Sequence, residues 1–327
     1  MTILRQGATS QWTDGQAVGE DLQQAFATLS MPGMGLLPGL PGARLSVARE
    51  RCFLSAGVAL PGAQDQPGPT LTVVGFDALF GAALRRMIHV PALRGNPERT
   101  YAVTAVGRQF PGTFDRYAAS VIANWTDRDD QGRLSQLGAF LQQLGLTWKV
   151  APRRVDDASV ELRVGRLIAP KRGGARDLVG IADVGFAVSQ VLPLLVAILT
   201  ASPGRLVYVE QPEIHLHPRS QTALGAVLAE AVGRRVPLVV ETHSALLLRS
   251  IQTQIAKGLL RNTDVSLQWF ERDAQGYTRI RPAHPDRSGA FGDWPVDFDD
   301  TSLEADRSYL DAVEALSRSS DEPGAGE

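Results

Sequence analysis

Two short apolar runs, each ending in a glutamate, constrain the fold of this chain more than any other feature. Residues 206–218 read LVYVEQPEIHLHP, and about 30 residues later residues 238–244 read LVVETHS. A continuous apolar run of this length is typical of a parallel strand that is buried on both faces. One helix fits between the two runs, so they predict a strand–helix–strand unit. A carboxylate at the end of such a strand, as at Glu210, faces the crevice where α/β sheets bind ligands.

Helical patterns surround these two strands. Pro218 stands where a first helical residue is favoured, Ser244 opens a second helix, and residues 189–200 form a third apolar helix upstream. A hairpin is expected within residues 265–280. This order of elements predicts an α/β fold with a parallel sheet flanked by helices.

The rest of the chain predicts three regions. Residues 1–84 form a poorly defined N-terminal region with short strand candidates, among them residues 71–74. Residues 85–282 form the lobe that carries the two acidic strands, and residues 283–327 form a C-terminal extension with an acidic tail.

Composition excludes several classes of protein. The chain has 33 basic and 35 acidic residues and a net charge of −2, so there is no global electrostatic case for nucleic acid. One local basic cluster can contact DNA phosphates, although such residues on a hairpin are often only solvated: Arg163, Arg166, Lys171, Arg172 and Arg176.

The lone cysteine, Cys52, forms no intramolecular disulfide, and no apolar run is long enough for a membrane span or leader. We therefore expect a cytoplasmic protein.

The two acidic strands and the residues between them resemble the Walker B strand, D-loop and switch-histidine strand of ABC-type ATPases. The similarity is to bacterial AAA-family P-loop NTPases related to RecF, SMC proteins and the overcoming-lysogenization-defect nucleases. It implies that Glu210 holds Mg²⁺ through water, and that Gln211 stands where an acid polarises the attacking water. His217 stands where the D-loop aspartate usually lies, and His243 where a histidine senses the γ-phosphate.

Further upstream, residues 183–193 resemble the divergent signature of these ATPases, a Gly/Ser turn that opens a helix. The resemblance implies that Gly185, Ser189 and Gln190 bind nucleotide, because a helix N-terminus offers free N–H groups to a γ-phosphate. In a simpler interpretation Ser189 only caps the helix. Weaker similarities at residues 90–101 and 292–298 extend the resemblance to about residues 85–300.

The family resemblance also implies cofactors and partners. ATP and Mg²⁺ are the expected cofactors. ABC-type sites form between two subunits, with the signature of one subunit covering nucleotide held by the Walker A segment of the other. The expected partner is therefore a second copy or an intact ATPase subunit in a head-to-tail dimer.

The lysines of the chain do not fit a P-loop, which requires a glycine-rich turn and a lysine followed by Ser or Thr. Lys149, Lys171 and Lys257 precede Val, Arg and Gly. Residues 71–83 have a strand–glycine–helix outline, but the glycines are one residue too far apart and Ala82 replaces the lysine. We therefore expect a P-loop NTPase-like fold that is incomplete at its N-terminal lobe.

The absent P-loop strand also leads to a prediction about the sheet. In the ATPases that the chain resembles, we expect that strand between the Walker B strand and the switch-histidine strand. Residues 206–209 and 238–240 would then either pair with a substitute strand from residues 71–74, or leave unsatisfied edges in an unstable, partner-dependent chain.

Gln211 is a second departure from the family pattern. A neutral amide orients water but cannot accept its proton, so Glu213, two residues further on, is the candidate catalytic base.

Three functions remain open from the sequence. The first is an ABC-type ATPase lobe that acts on or near DNA, in repair or phage defence, with Walker A supplied by a missing segment or a partner. The second is a non-catalytic interaction subunit that dimerises with an intact ATPase. The third is a metal-dependent hydrolase, for which the ligands would come from Glu210, Glu213, His215, His217 and His243. The missing P-loop lysine favours the second over an autonomous enzyme.

Overall fold

The structure, a computed structural model, describes residues 44–50, 53–59, 70–75, 81, 84–169, 177–292 and 307–313. The chain divides into two compact units, an N-terminal unit of residues 1–85 and a C-terminal unit of residues 86–327. Residues 293–306 and 314–327 of the predicted C-terminal extension lie outside the described residues, as do Lys171, Arg172 and Arg176 of the basic cluster.

The N-terminal unit contains an antiparallel sheet of three strands in the order β1-β2-β3. The strands are β1 (Arg44–Glu50), β2 (Phe53–Ala59) and β3 (Thr70–Gly75). The expectation that residues 71–74 replace a P-loop strand beside residues 206–209 is wrong. These residues lie in β3, which pairs antiparallel with β2 and belongs to a different sheet.

From residue 178 to residue 256 the C-terminal unit alternates strands and helices, as the sequence predicts. In chain order its elements are β4 (Ile88–Val90), β5 (Tyr101–Ala102), α1 (Ala118–Asp127), α2 (Gln131–Gln143), β6 (Val150–Arg154), β7 (Ser159–Gly165), β8 (Leu178–Gly180), α3 (Phe186–Thr200), β9 (Val207–Glu210), α4 (Pro218–Gly233), β10 (Leu238–Glu241), α5 (Ala245–Ala256), β11 (Leu267–Arg272) and β12 (Thr278–Ala283). The α/β fold class is therefore confirmed.

The parallel sheet has the order β10-β9-β4. Both β4 and β10 run parallel to β9, so the two predicted acidic strands lie side by side. The expectation that a P-loop strand must separate them, and that its absence leaves a gap, is wrong. Each residue of β10 stands opposite a residue of β9, from Leu238 opposite Val207 to Glu241 opposite Glu210, and this register leaves no space between them.

Helix α3 forms the centre of the hydrophobic core. Its residues 188–199 are all buried, which fits a helix whose sequence is apolar on every side. Helices α1, α2 and α4 and the buried residues Val207 and Val209 of β9 belong to the same core. A second sheet, with strands β5, β7 and β6 in order and β8 also paired with β7, packs against α1.

Helices α4 and α5 begin where the sequence predicts and approach each other closely. Pro218 is the first residue of α4, and Ser244 caps α5 by accepting a hydrogen bond from the Leu247 N–H (3.1 Å). Gly225 of α4 faces Ser250 of α5, whose hydroxyl donates to the Thr222 carbonyl (2.6 Å). A Cβ added at Gly225 would lie 2.6 Å from the Ser250 Cβ, so the helices pack closely because residue 225 has no side chain.

Replacement of Gly225 by alanine should therefore destabilise the C-terminal unit. We expect the free energy of unfolding to fall by about 1–3 kcal/mol, the usual cost of overpacking a tight contact. Gly233→Ala in the same helix is the matched control, since no heavy atom lies within 4 Å of its added Cβ. Urea unfolding measures the free energy of unfolding of the two variants. Equal values would contradict this expectation, because they would show that α4 and α5 move apart at no cost.

The predicted hairpin is confirmed as β11 and β12, which pair antiparallel with Phe270 opposite Ile280. Among the described residues, no helix is both long enough and apolar enough to cross a membrane.

Candidate functional site

The candidate site lies at the carboxyl ends of β9 and β10. Because the strands are parallel and in register, Glu210 stands opposite Glu241, and the two chain segments that follow leave the sheet at the same edge. This is the edge where parallel α/β sheets bind ligands. The geometry brings together the residues that the sequence assigns to Walker B and to the switch segment.

The carboxylate of Glu210 is held by two groups of the same chain. His89 Nε2 lies 2.9 Å from Oε1, and the backbone N–H of Ala92 donates to Oε2 (3.0 Å). The Ala92 N–H, followed by His89, lowers the pKa of the Glu210 carboxyl below its usual value. Glu210 is therefore ionised at neutral pH, half-buried rather than fully buried, and already bonded through both oxygens.

His89 is a site residue that the sequence did not reveal. It is the middle residue of β4, between the fully buried Ile88 and Val90, and its ring stacks on Tyr208 with ring centroids 5.0 Å apart. The Tyr208 hydroxyl donates to Glu241 Oε2 (3.2 Å). Burial, then the negative charges of Glu210 and Glu241, raise the pKa of Tyr208 to about 12. Tyr208 thus remains a hydrogen-bond donor at neutral pH.

Gln211 begins the sharp turn after β9. Its φ of +40° is unusual for a residue other than glycine, and its N–H donates to the Glu241 carbonyl (2.8 Å). The strained turn redirects the chain, so that Glu213 points back toward the end of β10.

Glu213 links the two predicted motifs directly. It is 9% exposed, and its Oε1 accepts a hydrogen bond from the backbone N–H of His243 (2.9 Å). Its Oε2 is buried and has no hydrogen-bond partner in the described part of the chain. His243 itself is exposed. The hydrogen bond between Glu213 and His243 fixes the loop after β10 against the loop after β9, and the second carboxylate oxygen stays available to accept a hydrogen bond.

The other two histidines of this segment have local structural roles. His217 is the N-cap of α4, and its Nδ1 accepts from the Arg219 N–H (3.3 Å). His215 is exposed with a φ of +64°, and its ring centroid lies 5.7 Å from that of Phe186. Neither ring joins a metal site: within the described residues no three His, Cys, Asp or Glu side chains come close enough to hold an ion.

Glu210 is the residue that the sequence assigns to Mg²⁺, held through water. Mg²⁺ usually keeps several of its waters and takes only one or two carboxylates together with nucleotide phosphates. Both oxygens of Glu210 already accept hydrogen bonds within the chain, and its role toward Mg²⁺ stays a prediction.

The start of α3 has no side-chain cap. Gly185 is its N-cap residue, is exposed, and has no side-chain cap hydrogen bond. Ser189 is therefore not the helix cap: it lies inside the helix, 9% exposed, and its hydroxyl donates to the Phe186 carbonyl (2.8 Å). Gln190 is also buried, and its Nε2 donates to the Gly95 carbonyl (3.1 Å). Of the three predicted signature residues, Gly185 is the exposed one.

A family comparison agrees with the resemblance seen in the sequence. Residues 113–249 match the family described as "AAA domain, putative AbiEii toxin, Type IV TA system". The matched range includes α3, β9 and β10, and it confirms the relation to AAA-type ATPases for that segment, which is less than half of the chain. No match was found among curated proteins.

Several solved structures show a distant structural likeness. A chain described under ATP-driven dimerization and DNA-stimulated activation of SMC ATPases is 12% identical, with 56% of this chain and 96% of that chain covered and a TM-score of 0.36. The SMC head domain from Thermotoga maritima is 9% identical, with 72% of each chain covered and a TM-score of 0.35. The Smc head domain with coiled coil from Pyrococcus yayanosii is 10% identical, and the match covers 51% of this chain and 29% of that one, at a TM-score of 0.36.

Proposed function

We propose that this chain is an ABC-type ATPase lobe that completes a composite nucleotide site through the start of α3. One observation supports a site in which this chain supplies a helix N-terminus and does not use its own Glu210. The carboxylate of Glu210 is satisfied within the chain by His89 and Ala92, whereas the N-terminus of α3 at Gly185 is exposed and uncapped. Free N–H groups at a helix N-terminus favour a phosphate. The P-loop comes from another segment or from a partner subunit.

The cofactors and partners of this proposal follow from the family resemblance. ATP and Mg²⁺ bind at the P-loop of the partner, and Gly185 approaches the γ-phosphate from the opposite side. The partner is an intact ATPase subunit in a head-to-tail dimer, or a second copy joined to a P-loop lobe. A place on or near DNA, in repair or phage defence, belongs to the same proposal through the family resemblance.

The alternative of a non-catalytic interaction subunit draws on the same observation. A Glu210 that is bonded to its own chain suits a subunit that only binds its partner. The two functions differ in their effect on the partner: a composite site accelerates its ATP hydrolysis, and a passive subunit leaves the rate unchanged.

Mixing the chain with an intact P-loop ATPase of the same family tests the proposal. We expect the rate of ATP hydrolysis per P-loop subunit to rise by about tenfold or more, because the helix N-terminus stabilises charge on the transferred phosphoryl group. Duplex DNA should raise the rate further. Replacement of the partner's P-loop lysine should abolish hydrolysis in the mixture, which serves as the control. A rate equal to that of the partner alone, at every mixing ratio, would refute the composite site.

A further inference from the structure

One buried arginine connects the start of α3 with the end of β9. Arg94 is 8% exposed and lies in the segment after β4. Its Nη1 donates to the Gln190 carbonyl (2.8 Å), and its Nη2 donates to the Glu210 carbonyl (3.0 Å). The planar guanidinium reaches both carbonyls at once, which a compact lysine ammonium does not.

The residues beside Arg94 reinforce this connection from both sides. Gln190 Nε2 donates back to the Gly95 carbonyl (3.1 Å), and the Ala92 N–H donates to the Glu210 carboxylate (3.0 Å). Residues 92–95 therefore contact the first part of α3 and the last residue of β9 through four hydrogen bonds. A displacement of either element has to break bonds in this short segment or carry it along.

The charges around Arg94 make its position costly to change. Burial lowers the pKa of Arg94 to about 10, while Asp115, Glu213 and Glu210 act in the opposite direction, so the guanidinium is charged at neutral pH. Its Nε is buried without a hydrogen-bond partner in the described part of the chain. A buried cation that faces three carboxylates is strongly constrained, because moving it away leaves buried charges uncompensated.

We propose that Arg94 is a positioning residue that makes the start of α3 and the end of β9 move as one body. Arg94 acts through Gln190 and Glu210 and does not contact nucleotide. Its consequence for nucleotide binding rests on the proposed function: a phosphate drawn to Gly185 at the start of α3 shifts the Glu210 turn through Arg94. The mechanical coupling itself is a property of the chain alone.

Hydrogen–deuterium exchange of the purified full chain tests this coupling. Arg94→Lys keeps the positive charge and the apolar stem but reaches only one of the two carbonyls. We expect backbone amides in residues 189–195 and in residues 210–216 to exchange about tenfold faster, while those of α5 do not change. Both segments should respond together, since the same side chain holds both.

Arg234→Lys is the matched control. Arg234 is another arginine whose pKa is lowered by burial, but its Nη2 donates to a single carbonyl, that of Ile198 (3.0 Å), near the other end of α3. A lysine can keep a single bond of this kind. We expect no change in exchange at residues 189–195 or 210–216 in this variant.

Three results would overturn the proposal: unchanged exchange in Arg94→Lys, faster exchange in only one of the two segments, or faster exchange that extends to α5. If Arg94→Lys does not fold, Gln190→Leu decides the question, because it removes the returning bond to Gly95, keeps the side-chain size, and leaves the Gln190 carbonyl that Arg94 binds. Faster exchange at residues 189–195 that is accompanied by faster exchange at residues 210–216 supports the coupling, and faster exchange at residues 189–195 alone contradicts it.

The exchange experiment separates this inference from the proposed function. It uses no partner and no ATP. If both segments loosen together but substitutions at Gly185 have no effect on a partner's ATP hydrolysis, the proposed function fails and the coupling through Arg94 stands. If the Gly185 substitutions act as expected and the two segments exchange independently, the coupling through Arg94 fails and the proposed function stands.

Discussion

Replacement of Gly185 by glutamate should abolish the stimulation that the chain gives to an intact P-loop partner, a loss of about tenfold or more that returns the rate to that of the partner alone. The new carboxylate would lie at the start of α3, where the proposed function places the γ-phosphate, and would repel it. The substitution should not harm the fold. The φ of Gly185 is −61°, no heavy atom lies within 4 Å of an added Cβ, and an acid at a helix N-terminus is stabilising.

Two further substitutions at the same position separate charge from size. Gly185→Ala adds only a methyl group in open space and should keep the stimulation. Gly185→Gln has the size of glutamate without its charge, so it should cause a smaller loss. The rate of phosphate release in mixed complexes measures all three. Stimulation by Gly185→Glu as strong as that by Gly185→Ala would exclude the start of α3 from the nucleotide site. Ser189 is a poor probe because it is buried, and a large residue there would disturb the core.

The purified chain alone should hydrolyse ATP extremely slowly, below about 0.01 per second. No lysine of the chain is followed by Ser or Thr, and the P-loop lysine and its surrounding N–H groups normally hold the β- and γ-phosphates during transfer. Positioning supplies most of the catalysis of this reaction, and Glu210 is already bonded to His89 and Ala92. Phosphate release from Mg-ATP, measured on the full chain, tests this expectation. A turnover near about 1 per second that is lost in Glu210→Ala would contradict it.

Much of the C-terminal unit could be predicted because its signals are local. The apolar runs became β9 and β10, Pro218 and Ser244 mark helix starts, and the long apolar helix is α3. Each of these depends on the composition or the end signals of a single segment. The AAA-type resemblance depended on the spacing between such segments, and the family match includes them.

The features that sequence reasoning missed depend on contacts between distant segments. His89 and Glu210 are 121 positions apart, and Arg94 and Glu210 are 116 apart. Strand β4 has only three residues, too few to show a pattern, so nothing marked His89 as a neighbour of the acidic strand. The predicted order of strands in the sheet was wrong because it was inferred from an expected family arrangement and not from a signal in the chain. The actual neighbour of β9 on its second side is β4, not β3.

A comparison of three variants in one mixed complex tests whether this chain offers the start of α3 to a partner's nucleotide while its own Walker B edge takes no part in hydrolysis. The variants are Gly185→Glu, Glu210→Gln and His243→Ala, each mixed with the same intact P-loop ATPase, and the measurement is the rate of ATP hydrolysis. We expect Gly185→Glu to lose the stimulation, whereas the other two variants should stay within about twofold of the unmodified chain. If the Glu210 and His243 variants lose as much activity as Gly185→Glu, the proposed function is wrong, and the chain's own edge works with a P-loop supplied in cis or in trans.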